Sequence, residues 1–165
     1  MDTNRATPSW SERLQDELPM LVGPILMVLA DVIWLVVHGT PLAHQALRNA
    51  LVFAVGVGGL IAAIGHTVLR DQVAESIGWA KGSPFQLEVG FANLAIGIVG
   101  IMSAWYQDRF WLAVIVVVSV FLVCDAGGHI ADMVRRRNFA PSNAGFVFWW
   151  DLALPALLIT LYAIQ

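Results

Sequence analysis

Five apolar stretches, each about 20 residues long, constrain this chain more than any other feature. A helix of that length crosses the hydrocarbon core of a bilayer and bonds its own backbone polar groups there. The chain is 58% hydrophobic and only 13% charged, whereas soluble domains carry about 25% charged residues. The sequence therefore predicts an all-α integral membrane bundle, a single domain over residues 20–165. The five predicted transmembrane helices are 20–38, 50–69, 85–105, 111–133 and 145–164.

The first 19 residues are charged and carry no apolar core of the kind that a secretory signal needs. Ser9 and Glu12 have the spacing of a capping box, which predicts a helix start. Apolar residues then recur at every fourth position up to Leu18. We expect a short amphipathic helix over residues 1–19 that lies on the membrane surface and ends at Pro19.

Lysine and arginine are distributed unevenly between the predicted loops. Seven lie on the side that holds the N-terminus, and Arg48 and Arg109 lie on the other. The positive-inside rule predicts a cytoplasmic N-terminus and an outer C-terminus in a bacterial inner membrane. The arginines at 135–137 could instead bind anionic lipid, but we favour their role in topology. The seven are Arg5, Arg13, Arg70, Lys81, Arg135, Arg136 and Arg137.

Ionisable residues interrupt four of the apolar stretches at a similar depth. Such residues are costly inside a membrane helix and usually face the bundle interior. From the helical rise, all of them lie roughly 6–15 Å from the same membrane interface, and Asp125 and His129 share one helix face. We expect them to form one buried site. They are His66, Glu88, Asp125, His129 and Asp151.

A metal centre is one interpretation of this site, because imidazole and carboxylate together suit Zn, Fe or Mn. All five residues would be ligands, and Gln86, Asn93 and Asn143 would complete the hydrogen bonds around them. Di-iron bundles repeat a Glu-x-x-His pair on two helices. Here there is a single Asp-x-x-x-His pair, so the pattern differs from that of a di-iron bundle.

Other interpretations stay open. The polar residues could form a proton or ion path, extended towards mid-membrane by Asp31. They could also only stabilise helix packing, in an accessory subunit that binds other membrane proteins or itself. Haem between His66 and His129 is a lesser option, because carboxylates at that level fit it poorly. The near-neutral charge of −3 argues against nucleic acid, and the chain contains no catalytic motif that predicts an enzyme.

Four segments resemble a family of small bacterial multi-spanning membrane proteins classed as a domain of unknown function. They are Gly65-His66, the run 75–94, Gly128-His129 and the run 138–145. The resemblance covers about residues 50–155 and leaves out the first span. It implies the membrane fold and draws attention to His66, Glu88 and His129, but it implies no substrate, cofactor or reaction.

Two further patterns concern packing around the site. Small residues recur at Ala54, Gly58 and Ala62, and again at Gly100 and Ala104, which predicts close helix contacts, not a ligand channel. The loop 73–79 is partly apolar and contains a tryptophan. It could fold back over the site, but we favour an interfacial loop that is anchored by this tryptophan.

Overall fold

The computed structural model describes residues 10–39 and 43–165, with side chains from residue 18 onward. Within these ranges the chain is almost wholly helical and contains no β-strand. The helices are α1 (Trp10–His38), α2 (Ala43–Asn49), a π-helical segment (Ala50–Val57), α3 (Gly58–Thr67), α4 (Arg70–Ile77), α5 (Phe85–Met102), α6 (Arg109–Arg136), α7 (Pro141–Ala144) and α8 (Phe146–Ile164).

Five of these helical stretches are long and apolar enough to cross a membrane. The second of them joins α2, the π-helical segment and α3 into one rod, and the fifth joins α7 to α8. The predicted five-helix membrane bundle is therefore confirmed. The stretches are Leu18–His38, Ala43–Thr67, Phe85–Met102, Arg109–Arg136 and Pro141–Ile164.

Helix α1 does not end at Pro19, so the predicted boundary at that residue is wrong. The helix continues through Pro19 and Pro24 to His38. A proline leaves one carbonyl without its helical hydrogen bond, but membrane helices tolerate this where neighbouring groups satisfy the carbonyl. Ser9 lies outside the described residues, and a surface location of the first residues stays a prediction.

The second span begins seven residues earlier than predicted, at Ala43. Its polar side chains have partners that make this possible. Arg48 donates a hydrogen bond to the carbonyl oxygen of Ala104 over 3.2 Å. Asn49, only 3% exposed, donates one to Asp31 Oδ1 over 2.7 Å. The polar first turns can therefore pack inside the bundle, where α2 contacts α1 and α8.

Glycines bring α5 into close contact with the second span. A Cβ atom on Gly100 would lie 2.5 Å from the backbone nitrogen of Gly56, so the two backbones touch. The predicted packing role of Gly100 is confirmed. Ala54 and Gly58 also have the predicted packing role, because a Cβ on Gly23 of α1 would lie 3.2 Å from the Gly58 nitrogen and 3.4 Å from the Ala54 Cα. Together with Ala62 they also line a cavity.

The apolar core lies between the π-helical segment, α6 and α8. Buried residues such as Leu51, Val118 and Leu158 meet there. Further along the same two helices, α6 carries Asp125 and α8 carries Asp151. The core therefore fixes the pair of helices that brings these carboxylates together.

We predict that Gly100→Ala destabilises the bundle by about 1–3 kcal/mol, because the added methyl group overpacks a backbone contact. The matched control is Gly127→Ala in α6, where an added Cβ meets none of the residues that the structure describes within 4 Å. This change should leave stability unchanged or raise it by up to about 1 kcal/mol. Unfolding by SDS in mixed micelles measures both. Equal effects of the two substitutions would contradict the packing described for α5.

Candidate metal centre

Three ionisable side chains converge between α6 and α8. Asp125, His129 and Asp151 each offer a ligand atom, and these atoms all lie within 4.8 Å of one another. His129 and Asp151 are each only 4% exposed, and Asp125 is half-buried. The spacing of four residues places Asp125 and His129 on one face of α6, and Asp151 faces them from α8.

A hydrogen bond determines which nitrogen of His129 is free. Its Nδ1 lies 2.8 Å from Oδ1 of Asn143, which is fully buried. The Asn143 amide is oriented by a second hydrogen bond, from its Nδ2 to the Asn138 carbonyl oxygen over 2.8 Å. Because Asn143 Oδ1 can only accept, Nδ1 of His129 donates a proton. Nε2 of the neutral ring therefore carries a lone pair.

This lone pair faces a carboxylate oxygen that has no donor. His129 Nε2 lies 3.7 Å from Asp151 Oδ2, which is too long for a hydrogen bond. Asp151 Oδ2 is buried and has no hydrogen-bond partner among the described residues. A buried acceptor without a partner is costly. Two acceptors at this separation are satisfied by a cation between them, either a metal ion or a proton.

Two cavities adjoin the cluster. The larger, of about 110 Å³, is lined by Asp125, Asp151, His66 and mostly apolar residues. The smaller, of about 50 Å³, is lined by His66, Asp125 and His129 together with side chains from α4. A water molecule needs roughly 10–15 Å³ of such space. The site therefore has room for an ion and water.

His66 lies beside the cluster but outside the group of three. It lines both cavities together with Asp125. Its Nδ1 lies 2.5 Å from Oε1 of Gln86, a side chain that is 2% exposed. As in His129, a side-chain amide oxygen accepts from Nδ1, which leaves Nε2 of His66 with the lone pair.

Glu88 is not brought into the site. It is exposed, although Gln86, two residues earlier on α5, is buried. Two residues correspond to about 200° of rotation around a helix, so the two side chains face opposite sides. Asn93 lines the larger cavity, but its Nδ2 donates to the Val89 carbonyl oxygen of its own helix over 3.0 Å. It does not bond to the clustered side chains.

Sequence reasoning missed a set of hydrogen bonds behind His129. Asn138, whose carbonyl oxygen holds Asn143, donates from its Nδ2 to Asp132 Oδ2 over 2.6 Å and to the Ile77 carbonyl oxygen over 2.8 Å. Asp132 also accepts from Trp79 Nε1 over 3.1 Å. The available signal was the position of Asp132, three residues after His129 and hence on a neighbouring part of the same helix face.

The segment after the second span folds back over the site. Helix α4 ends at Ile77, and the φ of 85° at the next residue, Gly78, lies in the left-handed region that favours glycine. The chain then turns so that the Trp79 ring stacks over His129 at a centroid distance of 6.5 Å. Val73 and Ile77 line the smaller cavity. The folded-back arrangement, which we did not favour, is therefore present, and anchoring of this segment at the membrane interface stays a prediction.

The family model for DUF6790, a family of unknown function, matches residues 18–165. The chain belongs to this family. The match confirms the family resemblance and extends it to the first span, which the resemblance left out. All residues of the cluster and of its hydrogen bonds lie within the matched range. Comparison with curated proteins and with solved structures gave no match.

We predict that Asn143→Ala destabilises the bundle by roughly 2–5 kcal/mol, because it leaves the His129 Nδ1 proton and the Asn138 carbonyl oxygen buried without partners. The matched control is Asn93→Ala, which removes a hydrogen bond only within α5. Its cost should stay under about 1 kcal/mol. Unfolding in mixed micelles measures the difference. A loss for Asn93→Ala as large as that for Asn143→Ala would refute the positioning role of Asn143.

Proposed function

We propose that this protein is a small five-span membrane protein that binds one divalent transition-metal ion at Asp125, His129 and Asp151. The observation that carries the proposal is the gap between His129 Nε2 and Asp151 Oδ2. Two buried acceptors face each other across 3.7 Å, and the oxygen has no other partner among the described residues. A metal ion bonded to both atoms satisfies both lone pairs.

The donor set limits the identity of the ion. One imidazole and two carboxylates suit Zn, Fe or Mn. Ligating histidines usually donate their second ring N–H to a fixed acceptor, and Asn143 has this role for His129. Three protein ligands leave room for water at the ion, on the side of the cavities that His66 lines. A bound ion would supply Lewis acidity there.

A cluster that only stabilises packing, as in an accessory subunit, is the main alternative. In that case a proton shared between His129 and Asp151 replaces the ion. Asp151→Asn separates the two accounts. The substitution removes a charged ligand, but its new amide N–H can donate to His129 Nε2. Metal binding should therefore be lost, whereas packing should survive.

Haem is not proposed, because a cavity of about 110 Å³ is below the roughly 300–1,000 Å³ of typical ligand sites.

We predict about one Zn, Fe or Mn ion per chain in protein purified in mild detergent without chelator. His129→Ala and Asp151→Asn should each lower the affinity for the ion at least about tenfold, because loss of even a hydrogen-bond partner of a ligand costs roughly 10–100-fold. The purified variants should therefore contain clearly less metal than the wild-type protein. Elemental analysis of the purified protein measures this content. Glu88→Gln is the matched control, since it neutralises an exposed carboxylate outside the cluster and should leave the metal content unchanged.

Unfolding curves of the same samples complete the test. A metal site predicts that EDTA lowers the stability of the wild-type protein but not that of Asp151→Asn. The metal proposal would be contradicted by folded wild-type protein with three properties. It would contain no metal, gain no stability from added Zn, Fe or Mn, and be as stable as Asp151→Asn. This result would favour a cluster that only stabilises packing.

We also propose that the chain lies in a bacterial inner membrane with its N-terminus in the cytoplasm. The support is the seven-to-two distribution of lysine and arginine between the two sides. We predict that alkaline phosphatase fused after Gln165 is active, because this reporter needs an oxidising compartment. The same reporter fused after Arg137, in the loop between α6 and α7, should be inactive. The reverse pattern of activities would overturn the orientation.

A further inference from the structure

A second open space lies outside the metal site, at the end of the bundle where α6 finishes. This cleft has a volume of about 500 Å³ and runs between the α4–α5 loop, the start of α5 and the last turns of α6. Its walls include aromatic residues, charged residues and a glycine. They include Trp79, Phe85, Gly128, Asp132, Arg135 and Arg136.

The mouth of the cleft is positively charged. Arg135 is exposed and has no ion-pair partner among the described residues. The Arg136 side chain is 77% exposed, and its Nε lies 3.4 Å from Asp132 Oδ1. The two arginines carry two positive charges and Asp132 carries one negative charge, so one positive charge is in excess. Because both arginines lie in the last turn of a membrane-length helix, this charge lies at the level of lipid headgroups.

Deeper in the cleft, α6 presents backbone without side chains. A Cβ on Gly127 or Gly128 would meet no described residue within 4 Å, whereas one on Gly100 would meet backbone at 2.5 Å. Glycine inside a helix is destabilising, and here no packing contact with the described part of the chain requires it. Gly128 lines the cleft and lies seven residues, or roughly 10 Å, from Arg135 along the helix.

We propose that this cleft binds one anionic phospholipid. Its phosphate contacts Arg135 and Arg136, and its glycerol and upper acyl chains lie against Gly128 and the half-exposed ring of Phe85. The positive charge at the mouth matches an anionic headgroup. Below it, the surface of α6 has no side chain at Gly128 and leaves space for the glycerol and the upper acyl chains. The proposal does not depend on the metal site, because none of Asp125, His129 and Asp151 lines the cleft.

Native mass spectrometry of the full chain in mild detergent tests the proposal, with phosphatidylglycerol and phosphatidylcholine as probes. One phosphatidylglycerol per chain should be retained more strongly than phosphatidylcholine. Arg135→Gln and Arg136→Gln should each weaken phosphatidylglycerol binding about fivefold. Arg137→Gln removes the same charge from a residue that does not line the cleft and should change binding less than twofold.

Gly128→Leu tests the shape of the cleft, since it fills the wall without meeting the chain within 4 Å of the new Cβ. It should abolish retention of the lipid, whereas Gly127→Leu, which has equal space but does not line the cleft, should retain it. Equal losses from all three arginine substitutions would show adsorption to a charged surface and overturn the proposal. Displacement of the lipid by millimolar inorganic phosphate would also overturn it, because the site would then recognise free phosphate.

Discussion

The hydrogen bond from His129 Nδ1 to Asn143 Oδ1 is the contact on which the candidate site depends. In the neutral ring it leaves the lone pair on Nε2, and this nitrogen lies 3.7 Å from Asp151 Oδ2. The bond has this effect because the Asn143 amide is held in one orientation. Its Nδ2 donates to the Asn138 carbonyl oxygen. The segment between α6 and α8, which includes α7, is therefore as important to the chemistry as the helices that carry the ligands.

Close packing of α5 on α3 sets the other side of the site. A Cβ on Gly90 would lie 2.5 Å from Thr67 Cγ2 and 3.3 Å from the Cβ of His66, so α5 touches α3 beside the histidine. Gln86, one turn before Gly90, is thereby brought to His66. The same two features recur on both sides of the cavity, namely a buried imidazole and an amide oxygen that accepts its Nδ1 proton.

Much of the fold was predictable from the sequence, because length and apolar composition are enough to locate membrane-crossing helices. Depth along each helix was also predictable from the helical rise, which is why Asp125, His129 and Asp151 were expected at one level. Rotation around the helix was not, so Glu88 was expected inside although it is exposed. The role of Asn138 was missed because it depends on a turn that brings distant parts of the chain together.

Anomalous X-ray scattering from crystals grown with Zn tests the central claim most directly, because it locates the ion itself. The account predicts one strong peak between α6 and α8, about 2.0–2.2 Å from His129 Nε2 and from carboxylate oxygens of Asp125 and Asp151. A structure without a peak there, in which His129 Nε2 and Asp151 approach to direct hydrogen-bond distance, would contradict it. The two residues would then share a proton, and the cluster would only stabilise the packing of the helices.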